Sequence, residues 1–289
     1  MNDKKAVNRG PIYVVLCGVL FSIGGLCMKV VPWNALSINC FRCLVSGLTI
    51  YIYARIVHHR IRFNKHILIA SIAMFLTTTI YAMAVKLTTA GAAIVIQFTV
   101  PIWTMLFGLI LFHKKPRAGD IIASLVVFAG IAICFYEGLA AGRTSGNLLA
   151  LLSGITYSGV FMSNSFEDSD PLSSSVIAQL STFVIELPWL LKADFSALNA
   201  VSWLSLLALG LFQLGLGYIF LSIGLKTTAP VTACLLTGVE PVLNPIWVAL
   251  FYNEPITFLF ALGGIIVLVS VTVYQLWDMK HQEASGAAG

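Results

Sequence analysis

Apolar residues come along this chain in blocks about as long as a bilayer is thick, separated by short polar connections. Ten such blocks can be marked, at roughly 11–31, 36–56, 67–86, 91–112, 119–137, 146–165, 173–192, 199–224, 230–251 and 256–277. Each is close to the ~20 residues a helix needs to cross the hydrocarbon core. The pattern predicts an all-α integral membrane protein of ten transmembrane helices, with no room for a soluble domain. Within the blocks, polar positions recur at helical spacing and so define faces. Glu240, Asn244 and Trp247 share one, Gln179, Thr182, Glu186 and Trp189 a second, and Arg42, Ser46, Thr49 and Tyr53 a third.

The blocks repeat. Lys86–Pro116 and the stretch Leu225–Pro255 share a Thr-Thr-Ala opening, a mid-segment proline (Pro101 against Pro241), a Pro-Ile-Trp triplet and a closing proline. The offset is 139 residues at Thr89 and Thr228 and 140 at Pro101 and Pro241, so the register slips by one. Gly10 to Ser22 aligns likewise with Gly146 to Ser158. Blocks one to five therefore recur as six to ten, predicting two repeats, 1–140 and 141–289, within one membrane domain. Five is odd, so the second copy enters from the opposite side. Inverted repeats of this kind belong to secondary carriers, with the solute site near the midplane between the halves.

Composition agrees: 58% of residues are hydrophobic and 10% charged, with mean hydropathy +0.92, against roughly 25% charged in a soluble domain. Charge then fixes orientation. With the N-terminus inside, twelve of the 17 Lys and Arg residues fall in inner segments, among them Lys4, Lys5, Arg9, Arg55, Arg60, Arg62, Lys114, Lys115 and Arg117. Only Lys86, Arg143 and Lys192 fall outside. Both termini are expected in the cytoplasm. The net charge of +5 follows from this loop bias and calls for no nucleic acid. Six cysteines without paired spacing read as buried thiols at helix contacts. The basic N-terminus imitates a secretory signal, but its apolar run reaches Val31 without a small-residue cleavage site, so it reads as a first membrane helix.

Phe41-Arg42 near the start of the second block, Gly217-Tyr218 followed by Leu225-Lys226-Thr-Thr-Ala-Pro230, and Glu240-Pro241-Val242 with Asn253-Glu254-Pro255 resemble the motifs of the EamA-type family of the drug/metabolite transporter superfamily. The chain departs from it at Lys114-Lys115, where the family often has Gly-Glu, and at Asn253, which stands for glycine. The resemblance covers essentially the whole chain. It implies a carrier of metabolites or drugs in the plasma (inner) membrane of a prokaryote, often an exporter of amino acids or related small solutes, driven by an ion gradient or running as a facilitator.

An ionisable residue inside the bilayer is costly and invites a functional reading. Glu240 either faces the cavity and binds a cationic group or a proton, or it caps backbone groups freed by Pro241 and Pro245 or braces a helix pair. Glu186 is the second acid. Its helix face, and Pro188 nearby, suit a wet environment, so it is a proton-coupling candidate beside Glu240; the other reading is a lone acid satisfied by a hydroxyl. Arg42 reads as an anion contact in an outer vestibule or as a side chain snorkelling to headgroups. Tyr81, Gln97, Trp103, Tyr157, Gln213 and Tyr218 complete the candidate substrate-binding set with Asn244, Trp247 and Arg42. His58, His59 and His66 read as charge anchors in a basic loop, and Gly24-Gly25, Gly154 and Gly263-Gly264 as close helix contacts.

The function expected is alternating-access transport of a small organic solute such as an amino acid or amine. The partners expected are that solute, protons as coupling ion and the bilayer, with no cofactor and no metal. A monomer is expected because both halves lie in one chain. An intramembrane enzyme or a channel using Glu186 and Glu240 is the rival. No metalloprotease, nucleophile-elbow or P-loop motif supports the first, and no filter-like loop supports the second.

Overall fold

The computed structural model describes residues 9–88, 90–134, 144–252 and 257–287; Asn253, Glu254, Thr89 and Arg143 lie outside them. Every regular element among them is helical: α1 (Gly10–Phe21), α2 (Gly24–Val30), α3 (Ala35–Ile56), α4 (Lys65–Leu87), α5 (Ala90–Gln97), α6 (Val100–Phe112), α7 (Ala118–Cys134), α8 (Thr144–Met162), α9 (Pro171–Leu190), α10 (Ala200–Ala208), α11 (Gly217–Gly224), α12 (Pro230–Leu236), α13 (Val239–Tyr252) and α14 (Phe258–Ala287). A π-helical segment, Leu209–Leu216, joins α10 to α11. By length and hydropathy, Gly10–Val30, Ala35–Ile56, Lys65–Leu87, Ala200–Gly224 and Ala261–Asp278 each suffice to cross a membrane.

Polar N-caps mark where helices begin. The side chains of Asn34, Asn64, Asp170 and Asn199 each accept from the backbone N–H three residues on, satisfying donors that the first turn leaves open. Loops 57–64 and 163–170 share one end of the molecule, where Arg62 N donates to Ser173 Oγ at 2.9 Å and Asn64 Nδ2 to Asp168 O at 2.8 Å. His59 and His66 pair there with Asp170 and Asp168, so these histidines bind partners in the next loop rather than standing free. This is the basic end. At the opposite end Trp33 Nε1 donates to Asp194 O at 2.8 Å and Lys86 Nζ to Val31 O at 3.0 Å.

Three blocks that the sequence pattern makes continuous are interrupted. The chain breaks at Ser22–Ile23, at Phe98–Thr99 and at Thr237–Gly238. The latter two breaks sit 139 residues apart, just ahead of Pro101 and Pro241. A proline in a first helical turn sacrifices only an N–H that has no partner there, so each proline is accommodated by starting a new helix.

Packing repeats between the halves as the sequence does. The main helix pairings are α3 with α9, α4 with α8, α7 with α14 and α1 with α11. A methyl group on Gly10 would collide with Thr227 and Thr228, and one on Gly146 with Leu87 and Thr88. A methyl on Gly18 would collide with Val239 and one on Gly154 with the backbone oxygen of Gln97. Glycine thus seats α1 against the Thr237–Gly238 break and α8 against the Phe98–Thr99 break. The outer surface carries Ile52, Ile69, Ile110, Ile122, Val184, Leu204, Leu250 and Ile265 more than half exposed, a sheath suited to acyl chains.

Candidate functional site

At the level of the breaks lies a small cavity lined by Phe21, Arg42, Thr77, Thr78, Tyr81, Gln97, Tyr157, Gln213, Leu214, Tyr218 and Glu240. Its residues come from both halves of the chain. Seven sequence candidates meet here: Arg42, Tyr81, Gln97, Tyr157, Gln213, Tyr218 and Glu240. Its volume of about 40 Å³ admits a few water molecules, since one needs about 10–15 Å³. The Glu240 carboxylate sits in the first turn of α13, where the helix dipole favours negative charge. It is 7% exposed, and no described residue hydrogen-bonds it. The Tyr157 hydroxyl is likewise buried without a partner.

Arg42 overturns the snorkelling and outer-vestibule readings. It is 1% exposed, the largest of the fully buried side chains. Its Nε donates to Asn39 Oδ1 at 2.9 Å, its Nη1 to Gln213 Oε1 at 3.2 Å and its Nη2 to the Thr78 carbonyl at 3.2 Å. Gln213 sits in the π-helical segment and reaches Arg42 because Gly24 leaves room for its amide. Asn39 in turn donates to both oxygens of Glu186, at 3.0 and 2.9 Å, and Thr79 Oγ1 donates to Oε1 at 2.7 Å. A buried guanidinium requires a counter-charge, and Glu186 provides it through Asn39. Among the described residues, these are the hydrogen bonds that Glu186 makes, and none joins it to Glu240.

The other three candidates lie off the cavity. Asn244 Nδ2 donates to the Ser22 carbonyl at 2.6 Å and Trp247 Nε1 to Ser22 Oγ at 2.7 Å. A break inside a membrane leaves backbone groups that must find partners, so this face of α13 holds the Ser22–Ile23 interruption. Trp103 Nε1 donates to Thr99 Oγ1 at 3.1 Å beside the second break. Sequence reading missed Asn39, Thr78, Thr79 and Ser22. Asn39 had a signal, since an amide three residues before a buried arginine shares its face.

A second, larger cavity of about 420 Å³ opens at the basic end between α6, α8 and α12, with Thr104, Gly108, Lys114, Lys115, Met162 and Thr232 on its walls. That volume suits a small organic molecule. Along each helix, the residue between the two cavities is apolar and buried: Val100, Phe161 and Leu236 pack in one cluster. Beyond the small cavity, Met28, Val31, Ile38, Val85, Ile94 and Leu209 close the opposite end. On the floor of the larger cavity Arg117 bridges Asp120 at 2.9 Å and Asp278 at 2.7 Å, tying the start of α7 to α14.

The described cysteine side chains, Cys17, Cys27, Cys40, Cys43 and Cys234, are free thiols, and no group of three or more metal-binding side chains occurs among the described residues.

The model of the EamA-like transporter family matches residues 8–136 and again 144–275, once in each half. An uncharacterized transporter of Archaeoglobus fulgidus is 21% identical over 208 residues, 72% of this chain and 74% of that one. One of Clostridium kluyveri is 25% identical over 229 residues, 75% and 73% of the two chains. A solved crystal structure aligns with TM-score 0.78 and 17% identity, covering 94% of this chain and all of the other, a likeness of fold. With both halves matched, the chain belongs to the EamA-like transporter family, and it is a multi-pass membrane transporter.

Proposed function

We propose that this transporter is a secondary carrier that exports a small amine-bearing metabolite, such as an amino acid or amine, in exchange for protons. Ten spans form two inverted five-helix repeats, with both termini in the cytoplasm of a prokaryote and the basic end facing inward. Alternating access runs around the small cavity, and the chain acts as a monomer. The repeated glycine contacts and the paired breaks support the inverted repeat.

The observation that carries the reading is the buried Glu240 carboxylate, hydrogen-bonded by no described residue, in a cavity built from both halves. Arg42 and Glu186 balance one another through Asn39. Glu240 is left over, and a proton or an ammonium group can balance it, but not both at once. Export then follows from competition: solute enters from the 420 Å³ cavity, displaces the proton, and leaves when a proton returns from outside. Glu186 acts as a second proton site. The small cavity has to expand to take a solute, which requires Val100, Phe161 and Leu236 to part. Tyr81, Tyr157 and Tyr218 give it aromatic walls suited to a cationic group.

The test is a thermal-stability panel on the purified carrier with amino acids, amines, nucleosides and quaternary ammonium compounds. A ligand at a hundred times its Kd stabilises by about 2.7 kcal/mol. The reading predicts a stabilising amine whose effect disappears in Glu240→Gln. A shift that survives that substitution removes Glu240 from the site.

A further inference from the structure

We propose that the groove between α7 and α14 holds one acyl chain of an anionic phospholipid from the leaflet at the basic end, with the headgroup phosphate on Lys114 and Lys115.

Two apolar helix faces make the groove. Ile122 and Val126 of α7 and Ile265, Val269 and Val273 of α14 line it, each series at the spacing of one helix face, and its volume is about 530 Å³. These five side chains are 40–62% exposed, so the groove opens outward to lipid and not into the bundle. Trp277 closes it toward the basic end. A methyl group on Gly119 would collide with the Trp277 ring, so glycine lets that ring seat on the first turn of α7. Tryptophan at a membrane interface sits at headgroup level.

Two dimensions select the occupant. From Ile265 to Trp277 the helix rises about 18 Å at 1.5 Å per residue, close to one leaflet's half of the ~30 Å hydrocarbon core. Dividing about 530 Å³ by about 18 Å leaves a slot of about 30 Å² in section, about 6 Å across. Hydrocarbon packs at about 4 Å from carbon to carbon, so one chain fits along it. A helix of a second copy, about 10–12 Å across with its side chains, is too wide to enter.

Charge selects the headgroup. The Arg117 guanidinium lies 5.0 Å over the Trp277 ring, which brings the turn from Phe112 to Arg117 to the mouth of the groove. His113, at φ 52°, and a bond from Lys114 N–H to the Gly108 carbonyl at 3.1 Å fix that turn. Arg117 is committed to Asp120 and Asp278, and these three charges leave one negative charge. Lys114 and Lys115 are exposed, and no carboxylate among the described residues pairs with either. Lys114 Nζ lies 5.8 Å over the Phe112 ring. Two residues of chain span at most about 7 Å, so the Lys115 backbone stays that close to Arg117. The two lysines turn the net charge at the mouth to +1, which complements an anionic headgroup. Both lysines also stand on the wall of the 420 Å³ cavity. A phosphate on them lowers the positive potential at the entrance that the cationic solute proposed above must pass.

The experiment uses the full chain in phosphatidylcholine nanodiscs, into which phosphatidylglycerol or phosphatidylcholine with brominated acyl chains is titrated. Bromine quenches tryptophan at contact, and the Trp277 signal is the difference between wild type and Trp277→Phe. Each lysine near an anionic headgroup is worth about a fivefold preference. Wild type is therefore expected to reach half quenching at a mole fraction of phosphatidylglycerol at least about fivefold below that of phosphatidylcholine. Lys114→Gln with Lys115→Gln is expected to bring the two midpoints together. Val269→Phe, which fills the slot from an exposed position, is expected to weaken quenching by both lipids. Equal quenching of wild type by the two lipids, or a preference that survives the lysine substitutions, would overturn the proposal. So would quenching unchanged by Val269→Phe. Trp277 shielded from both lipids, in particles holding two copies of the protein, would give the groove to a second copy instead. No outcome depends on the solute or on Glu240.

Discussion

Replacing Asn39 with leucine separates Arg42 from its counter-charge without touching either. The substitution removes the 2.9 Å bond from Arg42 Nε and two of the three bonds to the Glu186 carboxylate. Hydrogen bonds to charged groups contribute about 1.5–3 kcal/mol each, but these act as a unit and do not add. Breaking a buried pair costs about 3–5 kcal/mol, and that range is the better guide. At about 2 °C of melting temperature per kcal/mol for a protein of this size, Asn39→Leu is expected to melt about 6–10 °C below wild type. Thr79→Val, which removes a single 2.7 Å bond to the same carboxylate, is expected to cost about 1.5–3 kcal/mol. Moving the counter-charge next to the arginine, in the double variant Asn39→Asp with Glu186→Gln, is expected to melt above either single variant. The assay is thermal unfolding of purified protein in one detergent at one concentration. If Asn39→Leu melts within 2 °C of wild type, with Arg42 and Glu186 intact, the relay carries no stability and the reasoning is wrong.

Gly154→Ala is expected to cost about 1–3 kcal/mol in the same assay, because its methyl would lie 2.7 Å from the Gln97 backbone oxygen at the break. Arg117→Ala leaves Asp120 and Asp278 facing each other without the cation that joins them. Arg117 is 42% exposed, so the cost is expected nearer 2 kcal/mol than the full penalty for a buried pair, with Arg117→Lys between it and wild type. The hydrogen bond from His66 holds the exposed Asp168 carboxyl below its usual range. Its contribution is therefore present above the ordinary carboxylate pKa of about 4 and lost as pH falls further. The difference in melting temperature between wild type and Asp168→Asn should vanish on acidification.

The helices were legible because a membrane demands long apolar runs, and the repeat because its prolines and threonines keep their spacing. The breaks were not. Periodicity reads Val100–Phe112 as a continuation of Ala90–Gln97, and only the backbone shows that Pro101 begins a helix rather than kinking one. Asn244 and Trp247 share a helix face with Glu240, as their spacing says, but that spacing gives no sign that they bond Ser22 at the break in the first block. Arg42 was found as a candidate and misjudged in depth. Its depth depends on Glu186, 144 positions away, and on the amide of Asn39 between them, and pairing across such a distance leaves no periodic signature. The aromatic and amide lining was recognised as a type; its convergence on one cavity is a property of the tertiary fold.

The central claim, that one cavity is reached in turn from both sides, is tested most directly by a single cysteine in its wall. Thr78→Cys in a variant lacking the six native cysteines would be exposed to a membrane-impermeant thiol reagent in vesicles of each orientation. Alternating access predicts modification from both sides, with the basic side reacting through the 420 Å³ cavity. Modification from one side only, with the protein folded and the other side freely supplied with reagent, would contradict it.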